Sequence, residues 1–319
     1  MMTRNHSLSG LVIRFAILSI FILIGGSPST AQPAEKKIAL TFDKLPFMKP
    51  MGFWRPREIS TMLLKALDEH SIKVAGFVVE EKVAEEPYSP ILLNDWVTRG
   101  HILGNQTWGD ADFNVLSFDH FLEHLGDGQK TIRELARRHS FPYRYLRFPQ
   151  LHQGNEPKKR EQLLKLLRRN EYQIAQVSVK TADFVFNPLY IENEQDSEVI
   201  EKLRELYLEH MAETVGYAER QSQKAFGRNI THIMRLHLGI ATARFLSDLI
   251  DQLKASGYSF VSFPEALEDA AYATEESYVG PLGLTFIDRV AATRGLEFDE
   301  ESGAGLSRSQ LERRLKDRP

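Results

Sequence analysis

Along most of this chain, short apolar runs alternate with longer stretches in which apolar residues recur every three to four positions. The first pattern predicts buried strands and the second predicts amphipathic helices. Strands are expected over residues 38–42, 74–79, 145–148, 174–179, 232–236 and 260–263, with another beginning near His101. Helices are expected over 58–69, 88–99, 118–139, 161–170 and 242–256, the last followed by Gly257, where a helix C-terminus places a glycine. Strands and helices in alternation point to an α/β fold with a parallel sheet. Residues 196–224 read as one charged helix whose apolar face is Ile200, Leu203, Leu206, Tyr207, Met211 and Val215. It is expected to pack on the outside of the core as part of a helical insertion, 188–230; a surface for a protein partner is the other reading. After about residue 270 the periodicity weakens, and 271–319 read as a C-terminal extension without evident chemistry, loosely held at 299–307 and 313–318.

The first residues depart from this pattern. Arg4 and Arg14 precede an apolar run at 15–24, and small residues follow, ending Ser29, Thr30, Ala31. These are the parts of a secretory signal peptide, 1–31. The run is half the roughly 20 residues that a helix needs to cross a bilayer, so cleavage and export to the periplasm or the medium are expected. Membrane attachment would require the segment to stay uncleaved. A linker at 32–37 leads into the domain, 38–270.

Composition narrows the picture further. A hydrophobic content of 42% is enough for a sizeable core, and with no cysteine that core must stand without disulfides. A formal net charge of −3, without a long Lys/Arg block, excludes a nucleic-acid partner of the phosphate-binding kind.

The candidate chemistry lies at predicted strand ends, where an open α/β barrel builds its active site. Four segments stand out: Thr41-Phe42-Asp43-Lys44, Gly104-Asn105-Gln106-Thr107-Trp108-Gly109-Asp110, Arg147-Phe148-Pro149 and Arg235-Leu236-His237. In order and spacing, from about residue 37 to 270, they resemble the NodB-type polysaccharide deacetylases, carbohydrate esterase family four. Those proteins read Thr-Phe-Asp-Asp, Gly-Asn-His-Thr-x-x-His, Arg-x-Pro, an Asp followed by Trp, then Leu-His. Residues 236–269 also follow the family, with Leu-His, an amphipathic helix, Gly-Tyr-x-Phe-Val-Ser and Glu-Ala-Leu. The resemblance implies a distorted (β/α) barrel that acts on N-acetylated polysaccharides or oligosaccharides. It also implies a divalent metal such as zinc, held by one Asp and two His. Such a metal lowers the pKa of bound water from about 15.7 to about 7, while a carboxylate takes the proton and a His protonates the leaving amine.

Carried over residue by residue, the family's base is Asp43, the Arg that orients it is Arg147 and the general acid is His237. The three ligand positions fall on Lys44, Gln106 and Asp110. A charged lysine has donors and no acceptor, so it repels a metal instead of holding one, and the Gln and Asp oxygens suit harder ions than zinc. No metal cofactor is therefore expected, and metal-dependent hydrolysis is expected to be lost or much reduced. The substitutions become consistent if the Lys44 ammonium takes the metal's place, accepted by Asp110 and Gln106, with Asp43 held by Arg147. A rival arrangement has Asp43, Asp110 and Asp112 holding a hard metal. The Asp that partners His237 falls on Lys180 or Asp183, and the family's Trp on Phe186.

Other residues have milder readings. Trp108, Phe148 and His152 are expected to line a sugar groove, whereas Phe47, Trp54, Phe184 and Phe186 are assigned to core or groove alike. His120 and His124 have zinc-like spacing but no third ligand, which makes them surface histidines, and His101 reads as a packed strand residue.

Overall fold

The structure is a computed structural model that describes residues 35–48, 55–299 and 305–317. The predicted secretory signal, the start of the linker, Trp54 and residues 300–304 and 318–319 lie outside the described residues.

Eight parallel strands form the sheet: β1 (Lys36–Leu45), β2 (Ala75–Val78), β3 (Ile102–Asn105), β4 (Tyr145–Leu146), β5 (Gln173–Ile174), β6 (Val179–Lys180), β7 (His232–His237) and β8 (Tyr258–Phe260). Their order is β5-β4-β3-β2-β1-β7-β6, and β8 pairs with the first residues of β1. β1 lies at the centre, with Ile38, Leu40 and Phe42 fully buried, which is why it reads as a continuous apolar run instead of an alternating one. No ladder joins β5 to β6 among the described residues. The barrel is open at that seam, which makes it the distorted (β/α) barrel expected.

Around the sheet lie α1 (Pro56–Glu69), α2 (Glu80–Glu85), α3 (Ser89–Thr98), α4 (Phe118–Asp127), α5 (Lys130–His139), α6 (Pro157–Arg169), α7 (Phe186–Glu192), α8 (Ser197–Phe226), α9 (Ile240–Ala255), α10 (Phe263–Leu267), α11 (Phe286–Thr293) and α12 (Arg308–Asp317). The single helix expected over 118–139 is two. α4 stops where Gly128 passes so close to the β3 turn that a Cβ there would lie 2.6 Å from Asn105 Oδ1. The apolar run 174–179 is likewise two strands, one on each side of the open seam. The last strand sits earlier than expected, because Ser262 accepts from the Glu265 N–H and caps α10.

α8 is more deeply built in than an outer decoration. Leu203, Leu206, Tyr207, Met211 and Val215 are buried as the periodicity predicts. Tyr207 packs edge-on to Phe186 at 5.3 Å and against Phe245 at 5.5 Å. The C-terminal extension differs from expectation as well. Phe286, Ile287, Val290 and Ala291 of α11 are buried, the Phe286 N–H donates to Val177 O at 2.7 Å, and Arg289 donates to Gln176 Oε1 at 2.5 Å. α11 thus covers the open seam between β5 and β6. No helix among the described residues is long and apolar enough to cross a membrane.

Candidate functional site

A cavity of about 580 Å³ opens at the C-terminal ends of the strands. Asp43 and Lys44 reach it from β1, Gln106 and Asp110 from the turn after β3, and Arg235 and His237 from β7. Backbone strain gathers at the same place. Of eight non-glycine residues with positive φ among the described residues, five (Lys44, Thr107, Asp110, Gln150 and Leu151) lie at the end of β1 or on the turns that follow β3 and β4. Left-handed conformation in such residues costs roughly 1–3 kcal/mol each, and packing holds it here on the loops that shape the cavity.

On one side, Asp43 is fully buried beside Arg147, with Nε 3.4 Å from Oδ1. Arg147 also donates to Thr41 Oγ1 at 2.9 Å and lies 4.3 Å over the Phe77 ring. Burial pulls Arg147 down to about 10, against the opposing pull of Asp43, so at neutral pH it stays a cation. Gln106 bridges the strand end: its Oε1 accepts from the Lys44 N–H at 2.7 Å and its Nε2 donates to Asp43 Oδ2 at 3.2 Å. The Lys44 ammonium ion-pairs with Asp110 Oδ2. The ammonium therefore sits within the set as expected, with one correction. Gln106 accepts from the Lys44 backbone, not its Nζ, because its side-chain oxygen is drawn to the free N–H at the left-handed turn.

On the other side, His237 Nδ1 lies 2.7 Å from Asp183 Oδ1, and the His237 N–H donates to Asp183 Oδ2 at 2.7 Å. Thr242 Oγ1 and Thr181 Oγ1 donate to the same carboxylate at 2.8 and 3.1 Å. Burial alone would raise Asp183; the His237 charge and these donors outweigh it and hold the carboxyl below its ordinary value. Nδ1–H bound to Asp183 leaves Nε2 of His237 for whatever the cavity holds.

The sequence model of the polysaccharide deacetylase family matches residues 30–166. Solved structures share the fold, the following two among them. One is a pseudoenzyme of carbohydrate esterase family 4 from Bacillus anthracis, 17% identical, covering 74% of this chain and 67% of that one, with a TM-score of 0.52. A mutant of that pseudoenzyme with restored enzymatic activity has also been solved. The other is the chitin deacetylase of the fungal pathogen Colletotrichum lindemuthianum, 21% identical, covering 75% of this chain and 91% of that one, with a TM-score of 0.51. The chain has the NodB-type deacetylase fold, and its first half resembles that family in sequence. A curated relative, an uncharacterised 30.6 kDa protein of Geobacillus stearothermophilus, is 27% identical over 104 residues, or 33% of this chain. The match spans only about a third of that relative's length, 35%.

Family members use a metal, and the residues at its positions here do not fit one. Lys44 has no lone pair to give while charged, its ion pair occupies Asp110, and both ends of the Gln106 amide are engaged. The rival carboxylate set also separates. Asp112 accepts from His152 Nδ1 at 2.9 Å and from the Asn114 N–H at 2.8 Å. Among the described residues, no three acids, histidines or cysteines are grouped to hold a metal.

Where the family has an Asp partner for the acid His, this chain has Asp183, not Lys180. The aromatic that follows it is Phe184, whose ring meets His237 edge-on at 5.2 Å. Phe186, matched to the family's Trp from the sequence, is buried core. Two groove candidates need correcting. Phe148 is 2% exposed and stacks on Phe121 at 6.0 Å, because β4 ends before it and the chain turns it inward. Trp108 is not among the cavity's lining residues; Lys130 lies 5.7 Å over its ring, and its N–H donates to His124 O at 2.9 Å. His152 does line the cavity. His101 is buried immediately before β3 instead of within it, and burial takes it to about 4.

Sequence reasoning did not single out three of the lining residues for the groove: Phe184, left between core and groove, and Lys180 and Arg235. Phe184 was signalled by its place directly after Asp183, and Arg235 by lying two residues before His237 on one strand, which puts both on the same face. Gly283, from the C-terminal extension, also forms a wall. Its carbonyl accepts from Lys180 Nζ at 2.9 Å, and a Cβ there would lie 1.9 Å from Gln150 O. No sequence signal pointed to it.

Proposed function

We propose that this chain binds acetylated polysaccharide in the strand-end cavity, in the periplasm or outside the cell, with metal-dependent hydrolysis lost or much reduced. The observation that carries this reading is the Lys44 ammonium, paired with Asp110 inside the family's ligand set. A fixed cation there supplies no activated water. It can still donate to the carbonyl oxygen of an acetamide, while Asp43 accepts from the amide N–H and the Phe184 ring, 41% exposed, offers a flat apolar face to a sugar. The Bacillus anthracis relative with this fold, described as a pseudoenzyme, is a precedent for such a loss.

The intact Asp43–Arg147 and His237–Asp183 pairs favour a second reading, slow hydrolysis without metal, in which Asp43 acts as base on a free water and His237 as acid. One experiment separates the two: calorimetric binding of an N-acetylglucosamine oligomer, followed by an assay for released acetate. Binding without acetate, weakened several-fold in Phe184→Ala, is the expected result. Acetate release that persists with chelator and disappears in Asp43→Asn supports the second reading. Acetate release that chelator abolishes contradicts both.

A further inference from the structure

Of the carboxylates that line the cavity, Asp43 has Arg147 and Asp110 has Lys44, and Glu81 is the third. Two cations on the far wall have no such partner. Arg235 is 6% exposed and lines the cavity, its Nε is buried without a hydrogen-bond partner, and no ion pair to its guanidinium exists among the described residues. Lys180, on the neighbouring strand and in register with Arg235, has one hydrogen bond, to the Gly283 carbonyl. Burial first, and then the charge of Arg235, draw Lys180 down to about 8. Asp288, whose charge Lys180 also feels, is held by Thr285 Oγ1 at 2.5 Å and Tyr217 Oη at 2.8 Å.

A guanidinium taken out of water without an anion is unfavourable. A cavity that keeps one beside a second cation is complementary to a negatively charged ligand. The guanidinium fork matches a planar carboxylate, donating two parallel hydrogen bonds. Asp43 and Asp110 in the same cavity disfavour more highly charged anions.

We propose that Arg235 and Lys180 form a carboxylate subsite, so the saccharide taken by this cavity is acidic. The proposal rests on the glycan reading above and narrows it. Arg235 and His237 alternate along β7, about 7 Å apart, which puts the carboxylate on the same sugar as the acetamide or on the next one. The carboxylate can come from a uronic acid or from a lactyl ether on an N-acetylated hexosamine, and the probes distinguish these.

The test is calorimetric binding of the full chain to a neutral N-acetylglucosamine oligomer, an N-acetylglucosamine–glucuronate oligomer and an oligomer carrying the lactyl ether, with the methyl esters of the two acids. One acid is expected to bind at least tenfold more tightly than its own ester. Arg235→Met should bring that ratio near one and Arg235→Lys should restore part of it, whereas Phe184→Ala should weaken acid and ester alike. Because Arg235 is buried unpaired, Arg235→Met is expected to leave the thermal midpoint unchanged or raised, which shows that the variant folds. Equal binding of acid and ester, or a preference that survives Arg235→Met, overturns the proposal. So does inorganic sulfate competing as well as the acid. If no saccharide binds, a titration with sodium acetate followed at the Arg235 Nε–H resonance decides separately. A saturating shift keeps the subsite and removes the glycan reading, and an unmoved resonance removes the subsite.

Discussion

The two sides of the cavity floor match the deacetylase motifs to different degrees. On one side, Asp183 and His237 form the Asp–His pair that the resemblance calls for; on the other, Lys44, Gln106 and Asp110 stand at the positions where the resemblance puts metal ligands. The packing explains the contrast. Asp183 is fully buried and accepts four hydrogen bonds, one from a backbone N–H, so any replacement orphans several donors at once. Lys44 and Asp110 are 21% and 30% exposed in their side chains, on turns that water reaches. There a change at one position can be matched by a change at another: Lys44 answers Asp110, and Gln106 answers both Asp43 and the Lys44 N–H. A residue whose charge can be rebalanced by one partner is the easier to exchange, and one that serves many partners is the harder.

If that explanation holds, Asp183→Ala is the most damaging change, costing about 3–5 kcal/mol in a denaturant melt because it strips a buried pair of one member. Lys44→Met, by contrast, is expected to cost less than about 1 kcal/mol; equal losses at the two positions would break the comparison. Between these extremes lies Lys180. Its folded value of about 8 is below the ordinary 10.5, so the unfolded chain binds more protons in between and stability rises as pH climbs from 8 to 10.5. Measured as the difference between wild type and Lys180→Met, the gain should be roughly 1–3 kcal/mol. Gly283→Ala should cost about 1–3 kcal/mol through the clash with Gln150 O. A neutral result there would mean that the C-terminal segment does not fix the cavity wall.

Much of this architecture was legible from periodicity. β1, β2, β7 and the helices α1, α3, α8 and α9 follow directly from apolar spacing, because each buries one stripe or a whole run. The seam between β5 and β6 was not legible, since an apolar run of six residues does not reveal that the chain leaves one wall and joins another. Nor was the contribution of α11 and the residues before it, which are recruited through backbone groups, Phe286 N–H donating to Val177 O and Gly283 O accepting from Lys180 Nζ. In the site, Asp43, Arg147 and His237 were singled out by the motifs they lie in, and the structure pairs Asp43 with Arg147 and His237 with Asp183. Phe148 and Phe184 were not, because an aromatic side chain suits a core and a groove equally, and the strand alternation that would decide stops after two residues at β4.

The central claim is that a lysine built into the chain stands where the family holds its metal. Its most direct test is a zinc titration, by calorimetry, of the wild-type chain and of a variant combining Lys44→Asp, Gln106→His and Asp110→His. The account predicts no saturable zinc binding by the wild type and one tightly bound zinc in the triple variant, since removing the fixed cation and restoring one Asp and two His recreates the ligand set. Stoichiometric zinc on the wild-type chain, with Lys44 still ion-paired to Asp110, would contradict it.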